Sequence, residues 1–154
     1  MIPALVLFLY SCAPSPQNEG RRTDLKDVMT QLSLYCEGTP VCADSPLDLW
    51  NFYGIDASDT VQYQARSFSG EGENTEILLF EAKDKTALAK IRAALQMRLD
   101  AKQKELRQTA PGQYALYRES RVVSNGRFIR LLFSADARRL AGIYDSCFNS
   151  SINR

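Results

Sequence analysis

The chain has 154 residues, enough for one domain with a core of its own. Its 19 lysines and arginines nearly balance its 18 aspartates and glutamates, so net charge gives no basis for binding nucleic acid or an anionic membrane. Histidine is absent, which excludes Ser-His and Cys-His nucleophile pairs and every metal site with an imidazole ligand.

The first twelve residues predict an export signal. Met1 to Tyr10 are almost all apolar, too few to span a bilayer, which needs about 20 residues, but suited to the apolar region of a secretory signal. Leu9-Tyr10-Ser11-Cys12 resembles the bacterial lipobox, in which the cysteine is acylated and becomes the new N-terminus. We therefore predict a signal peptide over residues 1–12 with Cys12 as the lipidation site. Simple secretion and a buried N-terminal strand or helix are the alternatives.

Two short helices are predicted after this leader. Residues 13–22 are polar and contain prolines, which indicates a flexible tether. Thr23 is predicted to cap a first helix, whose apolar stripe runs from Leu25 to Tyr35. A second helix is predicted to begin after Ser45 and to end at Gly54, where a left-handed backbone is readily adopted.

Three of the four cysteines lie beyond the leader. Cys36 and Cys42 flank a five-residue loop in CEGTPVC, and a disulfide there would close a small loop in an oxidising compartment. Metal binding by this pair is less favoured, because no further ligands lie nearby. Cys147 is interpreted as a small buried hydrophobic residue, with pairing to another chain as the alternative.

The rest of the chain predicts two hairpins around a long helix. The first strand is VQYQARSF, and the second, TEILLFEA, is more apolar and therefore more central. Asp84 is predicted to cap the long helix. Asn125-Gly126 favours the type I′ turn of a second hairpin, and a closing helix is predicted over residues 136–148.

This order predicts an α+β, two-layer domain over residues 23–148, followed by a tail over residues 149–154. A mainly antiparallel sheet of four strands, formed by the two hairpins, packs against the long central helix, with further helices at both termini. Both faces of the central strands are largely apolar, whereas a sheet with helices on one face only should have a polar face. Either a terminal helix or a partner must cover the second face, and we favour the helix.

Candidate functional residues are few. No catalytic motif, phosphate loop or metal motif is present. Asp56 and Asp59 flank Ser58, which favours a turn made by side-chain-to-backbone hydrogen bonds over a paired-carboxylate site. Four arginines near the second sheet face are candidates for clamping a carboxylate or phosphate: Arg66, Arg121, Arg127 and Arg130.

Several motifs together resemble one family. In chain order they are Tyr53-Gly54-Ile55-Asp56, the stretch from Glu76 to Asp84, Arg98, Asn125-Gly126-Arg127-Phe128 and Ser134-Ala135-Asp136-Ala137. They resemble bacterial lipoproteins that carry domain of unknown function 4358, over about Leu47 to Phe148. The resemblance implies a location at the outer face of a bacterial membrane and supplies no activity. We interpret the motifs as structural, with Arg98 reaching a carboxylate or a backbone carbonyl.

The sequence therefore predicts an exported, membrane-tethered lipoprotein that acts as a non-catalytic binding or interaction module at the cell envelope. The expected partners are the bilayer, through an N-terminal acyl anchor, and an envelope protein or small ligand. No nucleic acid, metal or cofactor is expected. The alternatives are a histidine-independent envelope enzyme that uses carboxylates such as Asp56 and Asp59, and a scaffold subunit that dimerises through sheet edges or Cys147.

Overall fold

The computed structural model describes residues 23–70 and 74–149, so the predicted signal peptide with Cys12, the predicted tether and residues 150–154 lie outside the described residues. The helices are α1 (Leu25–Ser33), α2 (Pro46–Tyr53), α3 (Lys85–Thr109), α4 (Pro111–Tyr117) and α5 (Ala137–Asn149). The strands are β1 (Thr39–Cys42), β2 (Thr60–Ser69), β3 (Asn74–Ala82), β4 (Val122–Asn125) and β5 (Phe128–Phe133). None of the described helices is both long and apolar enough to cross a membrane.

Capping residues set the helix ends, mostly as predicted. The side chains of Ser45 and Asp84 accept hydrogen bonds from the backbone N–H three residues later, at 3.1 and 2.8 Å. Gly54 ends α2 with a left-handed backbone at φ 65°. The cap of α1 is Asp24 rather than Thr23, because the Asp24 carboxylate is the group that accepts from the first turn.

The five strands form one antiparallel sheet in the order β1-β2-β3-β5-β4. The prediction of four strands was wrong because it treated β1 as a loop. This strand pairs with the edge of β2, with Thr39 opposite Ser69 and Cys42 opposite Arg66. Its side chains are mostly exposed, so they lack the apolar alternation by which a strand is recognised.

Helices cover both faces of the sheet. On one face Leu78 packs in a core with Leu95 of α3. On the other face Ile77 packs in a second core with Leu25 of α1 and Leu140 of α5. The domain therefore has three layers instead of the two predicted. The expectation that a terminal helix covers the second face is confirmed, since both terminal helices pack there.

The hairpin between β4 and β5 turns one residue later than expected. Asn125 pairs with Phe128, so the two turn residues are Gly126 and Arg127. Gly126 has φ +57°, and no non-glycine residue in the described part of the chain has a positive φ. A type I′ turn needs positive φ at both positions, so this hairpin has the pattern of a type II′ turn, with glycine first.

The end of α2 gives a test of backbone conformation. We expect Gly54→Ala to lower the free energy of unfolding by about 1 kcal/mol, because a side chain strains a left-handed backbone. Gly142→Ala in α5 is the matched control, since a Cβ there meets no atom within 4 Å. It should raise the free energy by roughly 0.5–1 kcal/mol through helix propensity. Urea denaturation followed by circular dichroism measures both, and effects of the same sign would contradict the assigned conformations.

Candidate functional site

One candidate site is a groove between α2 and α3. Its main part is a cleft of about 590 Å³, lined by Tyr53 and Gly54 at the end of α2 and by one side of α3, including Met97, Arg98 and Lys102. A smaller pocket of about 220 Å³ shares Gly54 and is lined by Trp50 and Lys90. We call these two cavities the α2–α3 groove.

Apolar side chains are exposed around this groove. The short helix α2 buries Leu49 but leaves Trp50 59% exposed and Phe52 50% exposed. Met97 on α3 is 73% exposed. Trp50 lines the smaller pocket and Met97 lines the main cleft, so both helices contribute exposed apolar side chains to the groove.

A buried ion pair lies behind the groove. Glu76 of β3 is 2% exposed and points toward α3. Arg98 Nε donates to Glu76 Oε2 at 2.7 Å, and Arg98 Nη2 donates to Glu76 Oε1 at 2.5 Å, which is the bidentate geometry of a strong charged pair. Arg98 Nη1 also donates to the carbonyl of Phe52 at 3.1 Å. The prediction that Arg98 reaches a carboxylate or a carbonyl is confirmed for both groups.

Three further polar groups extend this pair. Ser67 Oγ donates to Glu76 Oε1 at 3.2 Å, and the Tyr53 hydroxyl lies 3.4 Å from Ser67 Oγ. Lys102 Nζ lies 3.8 Å from Glu76 Oε2, and the Arg98 guanidinium stacks 4.5 Å above the Tyr53 ring. Burial, and then the charge of Glu76, raise the pKa of Tyr53, so its hydroxyl stays protonated at neutral pH.

This arrangement suits binding. Both oxygens of Glu76 are engaged by Arg98, so the carboxylate is a fixed acceptor behind the groove wall. The side chains of Arg98 and Lys102 remain 30% and 28% exposed, and they present positive charge beside the apolar side chains, with Glu105 as the carboxylate in the lining of the main cleft. A ligand with apolar side chains and an acidic group would complement both features.

The two aspartates considered for catalysis have structural contacts. Asp56 accepts a hydrogen bond from the backbone N–H of Ser58 at 2.8 Å, which is the predicted turn. Asp59 lies 3.0 Å from Lys83 Nζ and 3.3 Å from Lys90 Nζ. Hydrogen bonds with Ser58 lower the pKa of Asp56, and the hydrogen bond with Lys83 is the main cause that lowers the pKa of Asp59. A general acid working near neutral pH needs a raised pKa instead.

The four predicted binding arginines lie at three places. Arg66 donates to a serine of α1 at 3.3 Å, and Arg127 pairs with a buried glutamate of β3 at 3.3 Å. Arg121 and Arg130 line one pocket of about 200 Å³ beside α5. Arg138 lines the same pocket, although the sequence analysis did not identify it.

Burial disfavours the thiolate form of two of the three cysteines that the structure describes. Cys36 and Cys42 are unbridged thiols in the structure, so their disulfide stays a prediction. Burial raises the pKa of Cys36 to about 11, which disfavours the reactive thiolate. Burial also raises the pKa of Cys147, which packs against the α1 and α5 side of the sheet. Within residues 23–70 and 74–149, no group of three or more Cys, Asp or Glu side chains could hold a metal ion.

Comparison with known proteins identifies the domain. Residues 42–134, more than half of the chain, match the model of DUF4358, a domain of unknown function. The chain belongs to the DUF4358 family. No curated protein and no solved structure matches it. The resemblance found in the sequence is therefore confirmed for the domain.

The DUF4358 match contains the whole α2–α3 groove. Three residues from separate family-like motifs, Tyr53, Glu76 and Arg98, meet there through the contacts given above. Sequence reasoning did not identify Glu76 as part of a site. The available signal was a glutamate directly before the apolar run Ile77 to Phe80, because a charge buried in such a strand requires a partner.

The ion pair can be tested by a double-mutant cycle. We expect Arg98→Met to lower the free energy of unfolding by about 3 kcal/mol, because it removes the main partner of a buried charge. Arg107→Met, at an exposed arginine of the same helix, should change it by less than about 1 kcal/mol. The double variant Glu76→Gln, Arg98→Met should lose less than the two single losses combined. Additive losses in urea titrations would contradict the pairing.

Proposed function

We propose that this DUF4358 protein is a non-catalytic binding module, held at the outer face of a membrane by an acylated Cys12. In this proposal the α2–α3 groove binds an apolar segment of another envelope protein that also carries an acidic group. The observation that carries it is the exposure of Met97 beside the charges of Arg98 and Lys102, with the exposed Trp50 in the adjoining smaller pocket.

The composition of the groove supports a protein ligand. Trp, Tyr, Met and Arg are the side chains enriched in the cores of protein interfaces, and Trp, Tyr and Arg dominate binding hot spots. Trp50, Tyr53, Met97 and Arg98 supply all four types. Since Arg98 is fixed by Glu76 and Phe52, its side chain loses little conformational entropy when a ligand binds.

The position of the groove is compatible with a membrane tether. The described chain begins next to α1, which packs on the sheet face opposite α2 and α3. An anchor upstream of Thr23 would therefore attach on the side of the sheet away from the groove. The groove would then be accessible to a partner while the protein stays on the membrane.

The tether gives the first test of this function. We expect Cys12→Ala to abolish incorporation of radiolabelled palmitate and to move the protein from the membrane fraction to the soluble extracytoplasmic fraction, because the predicted acylation site is removed. Cys147→Ala is the matched control and should leave labelling and fractionation unchanged. Labelling that persists in Cys12→Ala, or wild-type protein found in the cytosol, would contradict the anchor.

The groove gives the second test. A photo-crosslinking amino acid placed at Met97 should form a defined adduct with an envelope protein in intact cells, since a bound partner would cover this side chain. Leu34 is the matched control position, because it is 72% exposed compared with 73% for Met97 but follows α1 on the opposite face. Adding Trp50→Ala should remove the Met97 adduct. Equal adducts from positions 34 and 97 would contradict a site in the groove.

A further inference from the structure

A second pocket lies on the opposite face of the sheet from the α2–α3 groove. It is the cavity of about 200 Å³ between β4, β5 and the start of α5. Arg121, Arg130 and Arg138 line it, and Glu119 is the one carboxylate in its lining. With Asp145, which pairs with Arg130 from outside the lining, three guanidinium groups face two carboxylates, so one positive charge is in excess. We call this cavity the arginine pocket.

Arg130 is the buried member of the arginine pocket. It is 8% exposed, and its guanidinium stacks 4.8 Å above the Tyr144 ring. Its ion-pair partner is Asp145, at 3.6 Å from Nη2, which is longer than a hydrogen bond. Burying a charged side chain costs free energy unless strong partners compensate it. A buried guanidinium that has a ring and an exposed aspartate beyond hydrogen-bond distance as its partners therefore has donor capacity for an anion.

The other two arginines approach from the solvent side. Arg121 donates to the backbone carbonyls of Arg118 and Ser120 and forms no ion pair among the described residues. Arg138 is 84% exposed and lies 3.5 Å from Glu119. The first turn of α5 also lines the pocket, and the amino end of a helix carries partial positive charge.

We propose that the arginine pocket binds a phosphate group, carried by a phosphomonoester or a phosphodiester. One guanidinium can satisfy both oxygens of a carboxylate, whereas a phosphate offers additional oxygens to guanidinium groups that converge from three directions. The cavity has room for one such group and a short apolar stem, since Leu132 and Ala141 also line it. This site is independent of the α2–α3 groove and of its proposed partner.

The test uses the full chain labelled with ¹⁵N, with the arginine Nε–Hε resonances as the readout. Titration with inorganic phosphate or glycerol 1-phosphate should shift the resonances of Arg121, Arg130 and Arg138 with a common saturation curve. Arg121→Gln and Arg138→Gln should each weaken phosphate binding about tenfold, as expected for losing a hydrogen bond between charged groups. Arg107→Gln removes the same charge from α3 and should leave the affinity unchanged.

A vesicle measurement separates the two sources of the phosphate. The Cys12→Ala full chain, which lacks the acylation site, is sedimented with phosphatidylcholine vesicles with and without phosphatidylglycerol. Binding that requires phosphatidylglycerol and is lost in Arg121→Gln supports the site with a lipid headgroup as its ligand. Saturable binding of glycerol 1-phosphate without vesicle binding supports the site with a soluble ester.

Three results would overturn the inference. The first is shifts that rise linearly with phosphate concentration and do not saturate. The second is an equal affinity for acetate, which would mean that the pocket does not select phosphate. The third is an equal loss of affinity in Arg107→Gln, which would show a response to overall charge. Because Arg121 and Arg138 are exposed, circular dichroism of their variants should match the wild type and so confirm that they are folded.

Discussion

Two buried glutamates on the central strand constrain how the layers pack. Strand β3 is buried along almost its whole length. It nevertheless carries two charged side chains, Glu76 and Glu81, which are 2% and 1% exposed. Side chains alternate along a strand, so an even-numbered and an odd-numbered glutamate face different helices. Each carboxylate needs partners in this low-dielectric setting. Arg98 of α3 binds the first, and the Gln62 side chain binds the second at 2.8 Å. Gln62 also accepts from the N–H of Leu25 at 2.8 Å, so charge compensation and the start of α1 are linked.

Local sequence signals predicted most helices and strands. The errors concern elements whose conformation depends on contacts between distant parts of the chain. Helix caps such as Ser45 and Asp84 act within one turn, so the sequence alone locates them. Strand β1 has no such signal, because its pairing depends on the open edge of β2, which lies far along the chain. The sequence also did not determine the number of layers. Apolar residues on both faces of β3 indicate that both faces are covered, but only the tertiary packing decides whether α1, α5 or another chain covers the second face.

The site was predictable only in part for the same reason. Arg98 was expected to reach a carboxylate or a backbone carbonyl, but its pairing with Glu76 depends on how α3 crosses the sheet. The predicted arginines were read as one set from their positions near the second face. In the structure Arg127 forms an ion pair with Glu81 at the end of β3, whereas Arg130 and Arg121 line the same pocket. Arg138 was missed because it belongs to a helix whose docking place cannot be read from its sequence.

The two apolar cores of this domain are formed by different stretches of the sequence. The core facing α2 and α3 lies inside the family match, whereas the opposite core depends on α1 and α5, which fall outside residues 42–134. A fragment trimmed to the matched segment would leave the Ile77 and Leu79 side of the sheet bare, and a bare apolar sheet promotes aggregation. The recognisable family unit is thus smaller than the folding unit. A relative that shares only the matched segment must shield this side with other flanking sequence or with a second subunit.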